Sequence, residues 1–205
     1  MNAPGPASSR PISPQRKCPV TSERFGTLRT LAVAGGAIEH AWAVESLVTD
    51  VDRHGQELVL FLAQVPSVED WRRAVVEWPA GSDEGFALLI AGDLAHTSTA
   101  TIGELADWCM RHGVFSVSVW GSGCERVHDI FDEVDVQLSL TPERSDDHSV
   151  VMTSWHADES LSEAMEFFWT HSIVSNGKRW GSARIVLVVG SSEFAAHVRE
   201  WASSP

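Results

Sequence analysis

The chain has 205 residues, 43% of them hydrophobic, and a formal net charge of −13. That is room for one domain with a substantial core and too little for two, and its field repels phosphate backbones, which disfavours nucleic acid as a partner. No apolar run approaches the roughly 18 residues of a membrane span, no early stretch resembles a signal-peptide core, and three cysteines (Cys18, Cys109, Cys124) fit a reducing cytoplasm better than a disulfide framework.

Residues 1–25 place Pro4, Pro6, Pro11, Pro14 and Pro19 among Ser, Arg and Gln. Such a stretch buries too little apolar surface to order itself and is expected to be a disordered tail. The first 30 residues hold Arg10, Arg16, Lys17, Arg24 and Arg29 against the single acid Glu23, so the rest of the chain is more acidic than the whole. Residues 26–56 are poorly defined. Ala37 to Val48 offers a helical face of Ile38, Ala41, Trp42 and Glu45, and Asp52–Gly55 reads as a turn.

From residue 57 to 203 the pattern is regular. Five apolar runs read as buried strands: Leu58–Leu62, Phe86–Ala91, Phe115–Trp120, Val150–Ser154 and Arg184–Val189. Each precedes a helical stripe: Val68, Trp71, Val75 and Trp78; then Ile102, Leu105, Ala106 and Cys109; then Val127, Ile130, Phe131 and Val134; then Leu161, Ala164, Met165 and Phe168; then Phe194, Val198 and Trp201. Thr101 with Glu104 and Ser160 with Glu163 have capping-box spacing, and Gly113 suits a helix C′ position. Alternating strands and helices imply an α/β fold, a single three-layer αβα domain with a mostly parallel five-stranded sheet. A flavodoxin-like order, 2-1-3-4-5, is the first expectation and a Rossmann-like one the second. Gln137–Asp147 is a polar excursion between the third helix and the fourth strand.

In such a sheet the loops leaving the strand C-termini share one edge, the usual ligand position. Here they bring Asp93, His96, Trp120, Gly121, Gly123, Cys124, Thr153, Trp155, His156, Asp158 and Glu159. Cys124 opens the third helix, where a helix N-terminus favours thiolate, and His156 on a neighbouring loop is the candidate base for it; against this, a small buried packing residue is the favoured reading of Cys124. Asp93, His96, Trp120, Gly121, Gly123, Thr153, Trp155, Asp158 and Glu159 are candidate binding positions, although acids at the fourth helix's start also suit its dipole. No C-x-x-C or H-E-x-x-H pair is present, so no metal site is predicted, and no cofactor is identified. Gly121-x-Gly123 lacks the third glycine of a dinucleotide fingerprint, since Arg126 stands there. A tight strand-to-helix turn is the better reading.

Two segments carry a resemblance. Trp120-Gly121-Ser122-Gly123-Cys124 and Met152-Thr153-Ser154-Trp155-His156-Ala157-Asp158-Glu159 resemble the W-G-x-x-C and M-T-T-W-H-x-x-E patterns of an uncharacterised bacterial family, a domain of unknown function, over residues 85–190. Ser154 replaces the second threonine. The resemblance implies no activity, substrate or cofactor; it marks Trp120, Cys124, Thr153, Trp155, His156 and Glu159. The expected function is a small-molecule-binding protein or enzyme using the cleft at the strand ends. A non-enzymatic interaction module, an immunity or regulatory partner, is the alternative.

Overall fold

The computed structural model describes residues 44–51, 57–75, 78, 85–141, 150–172 and 181–204. The expected tail, the Asp52–Gly55 turn and residues 37–43 of the expected first helix lie outside them.

Among the described residues six strands form one sheet: β1 (Val44–Val51), β2 (Glu57–Val65), β3 (Phe86–Gly92), β4 (Val114–Trp120), β5 (Met152–His156) and β6 (Ala183–Val189). Five helices accompany them: α1 (Trp71–Val75), entered through a 3-10 turn at Val68–Asp70, α2 (Thr99–Arg111), α3 (Cys124–Ser139), α4 (Leu161–His171) and α5 (Ser192–Ser203). The α/β class and the mostly parallel sheet are as expected.

Four details differ. The sheet gains a strand, because Val44–Val48 is extended rather than helical. The segment carries β-branched Val44, Val48, Thr49 and Val51 and pairs antiparallel with β2, Val44 opposite Ala63, with a bulge between Ser46 and Val48. The order is β1-β2-β6-β3-β4-β5, not the flavodoxin-like one: β6 inserts between β2 and β3. Its seven residues are all buried, as a central strand requires. β5 begins two residues later than expected. Finally, α2 is capped by Ser98, whose hydroxyl accepts from the Thr101 amide, while Thr101 sits one turn inside. The Ser160–Glu163 capping box forms, Gly113 follows α2 at φ 84°, and Gln137–Ser139 of the expected excursion are helical.

Two apolar layers sandwich the sheet. Under α1, α2 and α3 lie Val65, Leu88, Ile90, Val117, Val119, Ile185 and Leu187 with Trp71, Leu105 and Phe131. Under α4 and α5 lie Leu60, Leu62, Leu89, Val186 and Val188 with Met165, Phe168 and Val198. Burying each such side chain contributes about 1.5–3 kcal/mol before entropy is counted. The crossovers position the site. The chain leaves β3 and β4 toward the α2–α3 face, then leaves β5 and β6 toward the α4–α5 face. Where neighbouring strand ends send their chains to opposite faces, a crevice opens.

Candidate functional site

One such crevice separates the ends of β4 and β5. It has a volume of about 530 Å³ and is lined by Trp120, the Gly121–Arg126 turn, Ala157 and Glu159. Both quoted motifs therefore meet here. Gly121 (φ 104°) and Gly123 (φ 77°) shape the turn: a Cβ on Gly121 would stand 2.2 Å from the Gly92 carbonyl oxygen, and one on Gly123 2.9 Å from the Ala95 Cα. The β3–α2 loop thus fills the space of the missing side chains, and these glycines interlock two loops. Leu94 N–H to Ser122 O (2.8 Å) and the Arg126 guanidinium, which donates to Leu94 O (2.9 Å) and Thr97 O (2.8 Å), fasten the same contact.

Trp120 closes one wall. Its indole N–H donates to the Glu159 carbonyl at 2.8 Å, and its ring meets Phe194 edge-on with centroids 5.0 Å apart. Glu159 supplies a half-exposed carboxylate whose Oε2 lies 2.8 Å from Nδ1 of His156. His156 is not in a loop: it ends β5, is 3% exposed, and packs on Phe167 of α4 at 4.9 Å. Its Nε2 faces the Ser154 hydroxyl at 3.3 Å, which in turn lies 2.9 Å from the Ser118 hydroxyl of β4. A carboxylate only accepts, so His156 donates from Nδ1; in the neutral ring, Nε2 then accepts from Ser154. The result is an oriented chain running from the sheet interior to Glu159.

Cys124 lines the crevice but is buried in the cluster under α1–α3, whereas His156 lies under α4, with both its nitrogens engaged elsewhere. No hydrogen bond joins Cys124 to His156 among the described residues. Cys109 is core, and burial pushes its thiol pKa up. Thr153 and Trp155 point to the other face of β5. Thr153 donates to Asp132 at 2.7 Å, and the half-exposed Trp155 ring meets His128 at 4.5 Å. Asp158 is exposed in the turn after β5. Asp93 lines a second, smaller crevice of about 220 Å³ between the ends of β2, β6 and β3, where its carboxylate accepts from the Ala95 amide at 3.3 Å. His96 is exposed in the same loop and lines neither crevice. Sequence reasoning missed Ser118. Its signal was the alternation Ser116-Val117-Ser118, polar at positions of a strand otherwise buried on both faces.

A larger groove, about 740 Å³, runs over the outer side of α2 between Trp71 and Leu138. It lies away from the strand ends, and its charges are neutralised locally by Arg72–Glu104 (2.6 Å) and Arg111–Asp107 (2.9 Å). Among the described residues no three His, Cys, Asp or Glu side chains are grouped to hold a metal ion, and no helix is long and apolar enough to cross a membrane.

Residues 79–204 match the model of a family described as a domain of unknown function (DUF7684), and the chain belongs to that family. No curated protein and no solved structure matches it.

Proposed function

Starting from that membership, we propose that the chain binds a small polar molecule in the crevice between the ends of β4 and β5. The observation that carries this reading is the juxtaposition of an open crevice at a crossover reversal with a carboxylate held in place by a buried histidine. Trp120 offers an aromatic wall, and Glu159 an acceptor for a ligand hydroxyl or amine. Buried free thiols at Cys109 and Cys124 support a reducing, cytoplasmic setting, and the acidic chain supports the absence of nucleic acid among its partners.

Fluorine NMR of protein labelled with 5-fluorotryptophan tests the site against a library of polar fragments. Binders are expected to move the Trp120 signal, and Glu159→Gln to weaken them about tenfold, the equivalent of one charge-assisted hydrogen bond. Binders that move only Trp108, beside the groove over α2, would refute the assignment.

A further inference from the structure

The geometry points to Ser154 as an activated nucleophile, with His156 as its base and Glu159 as the group that orients the base, acting on small uncharged carboxylic esters. Ser154 and His156 stand two residues apart on β5, so both project from the same face of the sheet. The hydroxyl lies 3.3 Å from Nε2 of His156, and Nδ1 lies 2.8 Å from the Glu159 carboxylate. A hydroxyl, a base within reach and a third group that fixes the base's tautomer are the parts that activate a serine. Ser154 is partly exposed on β5, at one end of the strand order, while the imidazole beside it is buried. Ser118, buried on β4, has its hydroxyl 2.9 Å from the same oxygen, and with Ser154 donating to the imidazole that oxygen is left to accept from Ser118. A network that served only to satisfy Ser118 would not need a carboxylate beyond the imidazole. The placement of Glu159 at the crevice rests on the ligand-site reading above; the Ser154–His156 contact does not.

The chemistry balances with water as the only co-reactant. The Ser154 Oγ attacks the ester carbonyl carbon, forming a new C–O bond while its proton passes to His156 Nε2. Collapse of the tetrahedral adduct breaks the substrate's own C–O bond, and the alcohol leaves with the proton from Nε2. Water then attacks the acyl-serine, gives a proton to Nε2, and releases the carboxylic acid as that proton returns to Ser154. Carboxylates at Glu159, Glu125 and Asp158 disfavour anionic esters, which is why the proposal is confined to uncharged ones.

A fluorophosphonate probe on the full-length chain tests this directly, with the modified residue mapped by peptide mass spectrometry and 4-nitrophenyl acetate turnover measured alongside. Ser154 is expected to be the labelled residue, and Ser154→Ala to abolish both labelling and turnover. His156→Asn retains a donor toward Glu159 but removes Nε2, and is expected to slow labelling about 100-fold or more. Glu159→Gln is expected to slow it about tenfold or more, with imidazole nitrogen shifts passing from a single Nδ1–H tautomer to a mixture, because an amide no longer dictates which nitrogen carries the hydrogen. No label on Ser154 in the folded wild-type chain overturns the proposal, and so does labelling unchanged by His156→Asn. Fragment-induced shifts of the Trp120 signal in Ser154→Ala separate this outcome from failure of the crevice itself.

Discussion

Leu89 and Ser118 are partners across the β3–β4 ladder and enter the same layer, yet one meets apolar side chains and the other a serine hydroxyl. The difference extends along the sheet. Toward its centre the α4–α5 face is built from Leu60, Leu62, Ala87, Leu89, Val186 and Val188. Toward β5 it carries Ser116, Ser118, Ser154 and His156, with Ser116 reaching Ser172 at 3.4 Å, while from the central strand β6 the buried Arg184 donates to the Ser172 carbonyl at 2.8 Å. Burying a hydroxyl without a partner costs about 1–3 kcal/mol, so this seam is tolerable only because its members are bonded to one another. An apolar core would have been simpler to stabilise. A local departure from the burial rule in an otherwise consistent fold marks the place where function is to be sought.

Four substitutions probe that contrast. Leu89→Ala removes a fully buried side chain from close-packed surroundings and is expected to destabilise the fold by about 2–5 kcal/mol in urea melts, with the spread set by how far the cavity collapses. Ser118→Ala, one strand away, is expected to cost only about 1 kcal/mol. Adding Ser154→Ala to it should cost less than the sum of the two single changes, since both belong to one hydrogen-bonded chain. Strict additivity would show that the hydroxyls act independently and that the seam is not a network. The smallest effect lies on the helix that covers the seam. The Ser160 amide and hydroxyl donate to the Glu163 carboxylate, which holds its pKa below the usual range. A carboxylate depressed in the folded state stabilises above its unfolded pKa, about 4.3 for glutamate, and that contribution is lost as pH falls through the lower folded value. Wild-type stability should therefore drop slightly more than that of Glu163→Gln on acidification below about pH 4.5. Parallel pH profiles would mean the capping box does not depend on charge.

Much of the fold was readable because β3 is a short, unbroken apolar run, β6 is one from Ile185 onward, and α3 carries a full stripe of Val127, Ile130, Phe131 and Val134. β1 was not, because a half-buried edge strand such as Val44–Val51 shows the same mixture of apolar and polar residues as a helix face. The strand order was not either, since it depends on which face α4 packs against, and no local pattern states that. At the candidate site, His156 and Glu159 stood out as ionisable residues flanking a strand end. Ser118 and Ser154 did not: the alternation Ser116-Val117-Ser118 marks polar positions on one face of β4, but only the register of β4 against β5 reveals that Ser118 meets Ser154.

The insertion of β6 between β2 and β3 has a consequence for biosynthesis. Val59 pairs with Ala183, so the strand that joins the two halves of the sheet is the last of the six to leave the ribosome. Until it emerges, β2 and β3 have an empty lane between them, and the apolar faces that later contact β6 stay open to solvent. Such sequence-distant parallel pairing is slow to form and leaves the nascent chain exposed to aggregation, so loss of even the final strand and helix would remove the keystone rather than the periphery.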